Sequence, residues 1–518
     1  VAVVAVDGSV IERLCGRKRA KIIEGLGEIG MPTEEEGNTL MMEVTPNRPD
    51  LFSAEGIARA LKAYYGGEPR QYRAEQSDYV LRVGKGTEKV RPFVRCSVVL
   101  GVGMDDEFVA DLMQMQEKLH DTVGRKRKKV AVGIHDLAKV KFPLEYVVAS
   151  KERFVPLEFT EKMGVPEILE GHPKGRQYGH LAKPKAVVIS DEKGVISFPP
   201  IINSERTRVT KKSRDLLVDV TGTHRETVEG VLNMVTIALA DRGGKIFEVE
   251  IGGKRYPDLD GKAMPLDLEG ANRVLGLSLS REDAAACLRR MGHACDGKTV
   301  RVPAYRVDII SFIDLVEDIA IGYGYGNFEP ELPPLPGTGR ISASRGLIDQ
   351  AMCGMGFVEV KNYILADGKL MERLGKGKGI MKICNSRTVE FDVIRTCLAP
   401  GLLADFATNK TKGLPQKFYE VGVAYEGEER GKLCFAEAGV SAGLSTIQES
   451  LQALLKEMKV GYRLVEGKDE MFIEGRCFIV ESEGKKIGVI GEIHPKTLEE
   501  FGLEYPAALC EIEVKYLW

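Results

Sequence analysis

Hydrophobic and polar positions change rhythm several times along the chain, and each change marks an element. The opening run VAVVAV reads as a first strand, without the basic flank of a signal peptide. Pro46 and Pro49 bracket Asn47-Arg48 in a stiff turn. Helical spacing of Leu51, Ile57, Ala60, Leu61 and Tyr64 follows, with Asp50 or Ser53 as cap and Gly66-Gly67 as stop. Farther on, Val94–Val102 predicts a strand and Phe108–Leu119 an amphipathic helix. Val130–Ile134 predicts another strand, running into His135-Asp136.

The densest pattern spans Ser197–Thr223, SFPPIINSERTRVTKKSRDLLVDVTGT. Leu216-Leu217-Val218 with Val220 predicts a buried strand, and Thr223 with Glu226 has the spacing of a capping box for the helix that follows. Asp219 lies inside that strand, where a carboxylate costs free energy unless it is paired. Two readings stay open: a small-molecule pocket, or an Asp satisfied by neighbouring N–H groups. His135-Asp136 is likewise either a catalytic base or a structural pair.

Beyond the Tyr256-Pro257-Asp258 linker, Ser280 with Asp283 predicts a helix cap, Val300–Val302 a strand, and Phe312 the start of a helix. Asp314, Glu317 and Asp318 share one face of that helix, six residues after Asp308. Converging carboxylates suit Mg²⁺, whereas acidic residues in a first helical turn also suit the macrodipole. A Pro-rich linker, Pro330–Pro336, leads to a module from about residue 340 that alternates helices with antiparallel-looking strands. The fold class is therefore multidomain α+β, with an α/β domain near 90–252.

Composition narrows this picture. A chain of 518 residues needs roughly three to four domains. No apolar run reaches the ~18 residues of a membrane span. Ten scattered cysteines without CxxC argue against a zinc site or disulfide framework and fit a cytoplasmic protein. With a net charge of −3, nucleic-acid contact requires local patches. The candidates are Arg125–Lys129 (RKRKK) and the set Arg206, Arg208, Lys211, Lys212 and Arg214; RKRKK alone reads first as a solvated basic loop. In the module from about residue 340, P-loop and GxGxxG motifs are missing.

Several stretches together resemble the β subunit of phenylalanyl-tRNA synthetase: TPNRPDLFSAEGIARAL (45–61), ISFPPIINSERTRV…LLVDVTGT (196–223), YRVDIISFIDLVEDIAIGYGY (305–325) and NSRTVEFDVIRTCLAPGLL (385–403), then FYEVGVAYE (418–426) and IGVIGEIHP (487–495). They occur in the family's order, and the length matches its short archaeal/eukaryotic type. The resemblance implies an N-terminal B1-like module (1–88), a B3/B4 editing domain (89–254), a B5 domain (255–330) and a class II synthetase-like B6/B7 module (331–518). It departs from a working class II core: Tyr419 stands where the ATP-phosphate arginine would be, and no GxGxGxxR follows. ATP-dependent attachment of phenylalanine to tRNA(Phe) is thus expected on an α subunit, in an α2β2 assembly.

The same resemblance implies a second, hydrolytic site. An apolar pocket rejects an isostere bearing one extra hydroxyl by only about 10²-fold, so tyrosine attached to tRNA(Phe) needs removal. Asp219 is the expected partner of the phenol, and Thr221, on the same strand face, positions the amine or a water. Ser197, Asn203, Ser204 and Glu205 form the opposite wall, and Arg208 holds the terminal adenosine or its phosphate. Asp308, Asp314, Glu317 and Asp318 align with the family's Mg²⁺-associated positions, Asp318 replacing a Glu. A free-standing tRNA-editing protein and a purely structural subunit are the alternatives.

Overall fold

The computed structural model describes residues 2–332, 337 and 343–517, so part of the expected Pro-rich linker lies outside the described residues. The chain divides into two units, residues 1–331 and 332–518.

In the first unit, alternation buries Ala2, Val4 and Val6 of strand Ala2–Asp7. This strand pairs antiparallel with Thr39–Val44, which pairs with Thr33–Glu36. Of the two expected caps for helix Ala54–Tyr64, Ser53 acts, accepting the Gly56 N–H at 3.1 Å; Asp50 is instead held by Arg48.

The central sheet has ten strands and is mixed rather than regularly α/β. Its path runs Ile202–Asn203, Gly194–Phe198, Val187–Asp191, Leu144–Val148, Val80–Val83, Lys245–Ile251, Phe93–Leu100, Leu216–Gly222 and Val130–Asp136, with Lys254–Tyr256 beside Lys245–Ile251. Val80–Val83, which precedes residue 88, pairs within this sheet. Only the pairs made by Val80–Val83 are parallel. Leu216–Gly222 is buried throughout, as are nearly all apolar residues of helix Arg225–Asp241, which packs on it. Thr223 does not cap that helix: His224 holds the cap position, and the Thr223 hydroxyl donates to Lys128 O at 3.4 Å.

Val130–Asp136 ends the path, so one edge lacks a neighbouring strand, and buried N–H and C=O groups there need partners. Helix Asp106–Asp121 supplies them from one turn: Gln116 Nε2 donates to Val132 O, and His120 Nε2 accepts from Val132 N, both at 2.9 Å. From the opposite end of the path, Asn203 Nδ2 approaches Ile134 O at 3.5 Å. The sheet thus curls until its two edges nearly meet.

Residues 262–327 form a smaller module, with strands Lys262–Pro265, Thr299–Val302 and Ala294–Cys295 beneath helices Arg281–Arg290 and Phe312–Tyr323. The Ser280–Asp283 capping box is present. In the second unit, a seven-stranded sheet, antiparallel apart from Val358–Glu359, packs on helices Ala343–Gly354, Ala399–Thr408 and Leu444–Glu457. Val358–Glu359 and Leu365–Ala366 are separate short strands in different sheets. Asn362 between them donates its side-chain amide to Asp405 and Glu420.

Replacing His120 with Phe keeps an aromatic ring but leaves the Val132 N–H buried and unpaired. A loss of roughly 1–3 kcal/mol is expected, with faster hydrogen exchange at Val132. Unchanged denaturant midpoint and exchange would show that the edge is satisfied some other way.

Candidate functional site

Where the curled sheet fails to close, a cavity of about 380 Å³ remains. The Val130–Asp136 and Leu216–Gly222 strands form its floor, paired so that Asp219 faces Gly133 and Thr221 faces Ala131. Asp219, 1 % exposed, places Oδ2 2.7 Å from His135 Nε2. His135 Nδ1 lies 2.8 Å from the Thr207 hydroxyl. With Nε2–H donating to the carboxylate, Nδ1 accepts from Thr207, giving a buried hydroxyl–imidazole–carboxylate chain. Gly133 makes room for it: a Cβ there would sit 2.1 Å from Asp219 Oδ2.

Thr221 is fully buried, and its hydroxyl oxygen accepts Arg91 Nε at 2.8 Å, which leaves its hydrogen free to donate. Arg91 also donates to Thr221 O at 2.7 Å and, more weakly, toward Arg127 O and Lys128 O. Burial without a carboxylate partner among the described residues lowers its guanidinium to about 10.

A second polar group lines the same cavity. Glu117 accepts from Arg127 at 2.6 Å and lies 3.6 Å from both Lys174 and His120 Nδ1. Burial would raise its carboxyl, but His120, Arg127 and Lys174 together hold it down to about 2. Burial also keeps the His120 imidazole below its usual value, and among the described residues its Nδ1 and Arg127 Nε have no hydrogen-bond partner.

Of the expected site residues, Ser197, Asn203, Arg208, Asp219 and Thr221 line the cavity. Ser197 donates to Asn203 Oδ1 at 3.2 Å. Ser204 and Glu205 do not line it: Ser204 caps the turn at Arg206 N, while Glu205 accepts Glu158 N–H and pairs with Arg208 at 3.1 Å. Thr207, Gly133 and Arg91 were not anticipated. His135 was noticed with Asp136, yet its partner is 84 residues away, while Asp136 bonds Ala138 N. Gly133, a glycine inside an apolar strand, was the available signal of a close approach.

The four acidic residues of the smaller module do not form a divalent-ion cage. Arg306 lies between two of them, donating to Asp308 at 2.8–3.2 Å and to Asp318 at 2.8 Å, while His293 lies 2.5 Å from the same Asp318 oxygen. Asp314 accepts Ile310 and Ser311 N–H, and Glu317 is exposed. Among the described residues no group of three or more His, Cys, Asp or Glu converges as metal ligands. A guanidinium already occupies the space between Asp308 and Asp318, and the other two carboxylates point elsewhere, so the arrangement does not fit Mg²⁺.

Two family models match the chain: the tRNA synthetase B5 domain over residues 264–325 and the phenylalanyl-tRNA synthetase beta chain CLM domain over 330–514. These matches define a subunit of an aminoacyl-tRNA synthetase. The phenylalanine–tRNA ligase β subunit of Archaeoglobus fulgidus is 39% identical over 97% of this chain and 96% of its own length. That of Methanothrix thermoacetophila is 37% identical over 97% and 98%. The crystal structure of an N-terminal fragment of the Pyrococcus horikoshii phenylalanyl-tRNA synthetase β subunit matches with a TM-score of 0.59 and 35% identity. It covers 62% of this chain and 99% of the fragment. The chain belongs to the phenylalanine–tRNA ligase β-subunit family.

Desolvation opposes the Asp318 carboxylate, but Arg306 and His293 outweigh it and hold its pKa at about 2. A depressed folded-state pKa gives stabilisation that is full above the unfolded value near 4 and lost as pH falls toward 2. Asp318→Asn should therefore remove about 2 kcal/mol at neutral pH and flatten that acid limb of the stability curve. EDTA should leave the wild-type Tm unchanged, and a Tm that falls with EDTA and recovers with Mg²⁺ would contradict the assignment of Arg306 as the cation.

Proposed function

We propose that the chain is the β subunit of a two-subunit phenylalanine–tRNA ligase and that its cavity hydrolyses tyrosine misattached to tRNA(Phe). The observation that carries the hydrolytic reading is the buried Asp219 on the cavity floor, held from behind by His135. At about 380 Å³ the cavity falls at the lower end of the ~300–1,000 Å³ typical of ligand sites. Among the described residues Asp219 is bonded only through Oδ2, so Oδ1 is the acceptor for a phenol O–H. Phenylalanine would leave that acceptor desolvated and unpaired, which favours tyrosine.

Thr221, its oxygen held by Arg91, donates to the substrate ester or to a water. A water attacks the ester carbonyl, the ester C–O bond breaks, and the proton goes to the departing ribose hydroxyl. Tyrosine and free tRNA(Phe) result.

Amino-acid activation belongs to the α subunit, in a cytoplasmic α2β2 assembly, with ATP as substrate there. Tyr419 supports this division. It is 1 % exposed and donates to Asp349 at 3.0 Å, so a core tyrosine occupies the position expected for the arginine. Arg395, which donates to Val423 O on the same strand as Tyr419, is engaged in a buried pair with Glu420.

In the complex with the α subunit, Asp219→Ala should slow Tyr-tRNA(Phe) deacylation roughly 100-fold and erase the preference over Phe-tRNA(Phe). His135→Phe should give a smaller loss in the same direction. Hydrolysis and selectivity both intact in Asp219→Ala would refute the hydrolytic role. Failure to form an active complex with the α subunit would refute the subunit assignment.

A further inference from the structure

We infer that two basic segments, residues 125–129 and 172–185, form one surface at the cavity mouth that binds the sugar-phosphate chain of an RNA 3′ end. The inference rests on the hydrolytic reading of the cavity. Each segment contains no Asp or Glu, although the chain as a whole carries −3. They lie far apart in sequence, yet Arg127 joins them, its guanidinium 4.7 Å above the Tyr178 ring. Glu117 receives Arg127 from one segment and faces Lys174 from the other. Arg127 also donates to Pro200 O and Ile201 O, which tie the junction to the cavity wall.

With Arg127 buried as the anchor, the remaining cations point outward. Arg125, Lys126, Lys128, Arg176, Lys183 and Lys185 are exposed, and none has an ion-pair partner among the described residues. The turn that arranges them is strained. Arg125, Lys126 and Arg127 have φ of 48°, 53° and 65°, three successive non-glycine residues in the left-handed region. Such backbone costs about 1–2 kcal/mol per residue and persists where surroundings over-determine it, often at functional sites. Arg91 is part of that restraint: its guanidinium reaches the carbonyls of Arg127 and Lys128 while holding both the hydroxyl and the carbonyl of Thr221. One buried cation therefore links the basic turn to the cavity floor.

A solvated loop would need neither the strain nor the restraint. An acidic protein surface would meet the charges but carries no ribose ester to place beside Asp219. A polynucleotide end supplies both, a phosphate for each nucleotide and a final ribose ester that enters the cavity.

The test is binding of an uncharged RNA hairpin with a single-stranded 3′ end to the full chain with its α subunit, measured by fluorescence anisotropy over a NaCl series. Because the RNA carries no amino acid, the result does not depend on hydrolysis. Arg125→Ala, Lys126→Ala and Lys128→Ala together should reduce the slope of log K against log[salt] by about 2 and weaken binding at least tenfold. A control removing Lys254, Arg273 and Lys298, exposed cations of the same unit, should keep the slope within about 0.5 of wild type. Equal losses in both variants, or an unchanged slope in the first, would overturn the proposal. So would equally tight binding of polyglutamate. Matching thermal melts establish that each variant is folded.

Discussion

The unpaired edge of strand Val130–Asp136 is the constraint on which the site depends. A buried strand edge must find hydrogen-bond partners, and here they are side chains rather than another strand. Gln116 and His120 come from one turn of the Asp106–Asp121 helix, and Asn203 comes from the far end of the same sheet path. Side chains need more room than a paired strand, so the seam stays open as a cavity. Had the sheet closed through backbone pairing, Asp219 would face packed side chains. The residues that satisfy the edge also line the cavity, so fold and pocket share one set of hydrogen bonds.

Buried charge in the first unit is organised by arginine. Arg306 pairs with both Asp308 and Asp318, Arg48 holds Asp50, and Arg242 donates to the buried Glu55 at 2.6 Å. Planar guanidinium groups can satisfy several acceptors at once, which a divalent ion does only with a full oxygen cage. Arg91 differs from these. It faces carbonyls and a hydroxyl instead of a carboxylate, so its charge is spent on orienting the backbone of the basic turn and Thr221.

Much of this was legible in residue patterns, though unevenly. The Ser280 cap, the helix from Phe312 and the buried Leu216–Gly222 strand follow from local spacing, and the structure contains them. Ser53 was also local, but choosing it over Asp50 required knowing that Arg48 binds Asp50 bidentately. Thr223 failed as a cap because the helix starts one residue later, with His224 at the cap position. The acidic set failed for a different reason. Helical periodicity places carboxylates on a face but does not reveal that Arg306 and His293 arrive from other elements. Asp219 was legible as a costly buried carboxylate, whereas its partner His135 depends on strand register between distant segments.

That register narrows what Asp219 can do. Gly133 lies opposite Asp219, and the absent Cβ lets the carboxylate reach across the neighbouring strand to His135. One carboxylate oxygen is thereby fixed in direction by a rigid imidazole, which Thr207 in turn orients. A free carboxylate could rotate to meet either a phenol or a water, and would discriminate poorly between substrates that differ by one hydroxyl. A carboxylate pinned at Oδ2 presents Oδ1 along one direction, so an O–H must arrive at the right place to use it. Selectivity at such a site resides in the strand pairing that holds the acceptor still as much as in the acceptor itself.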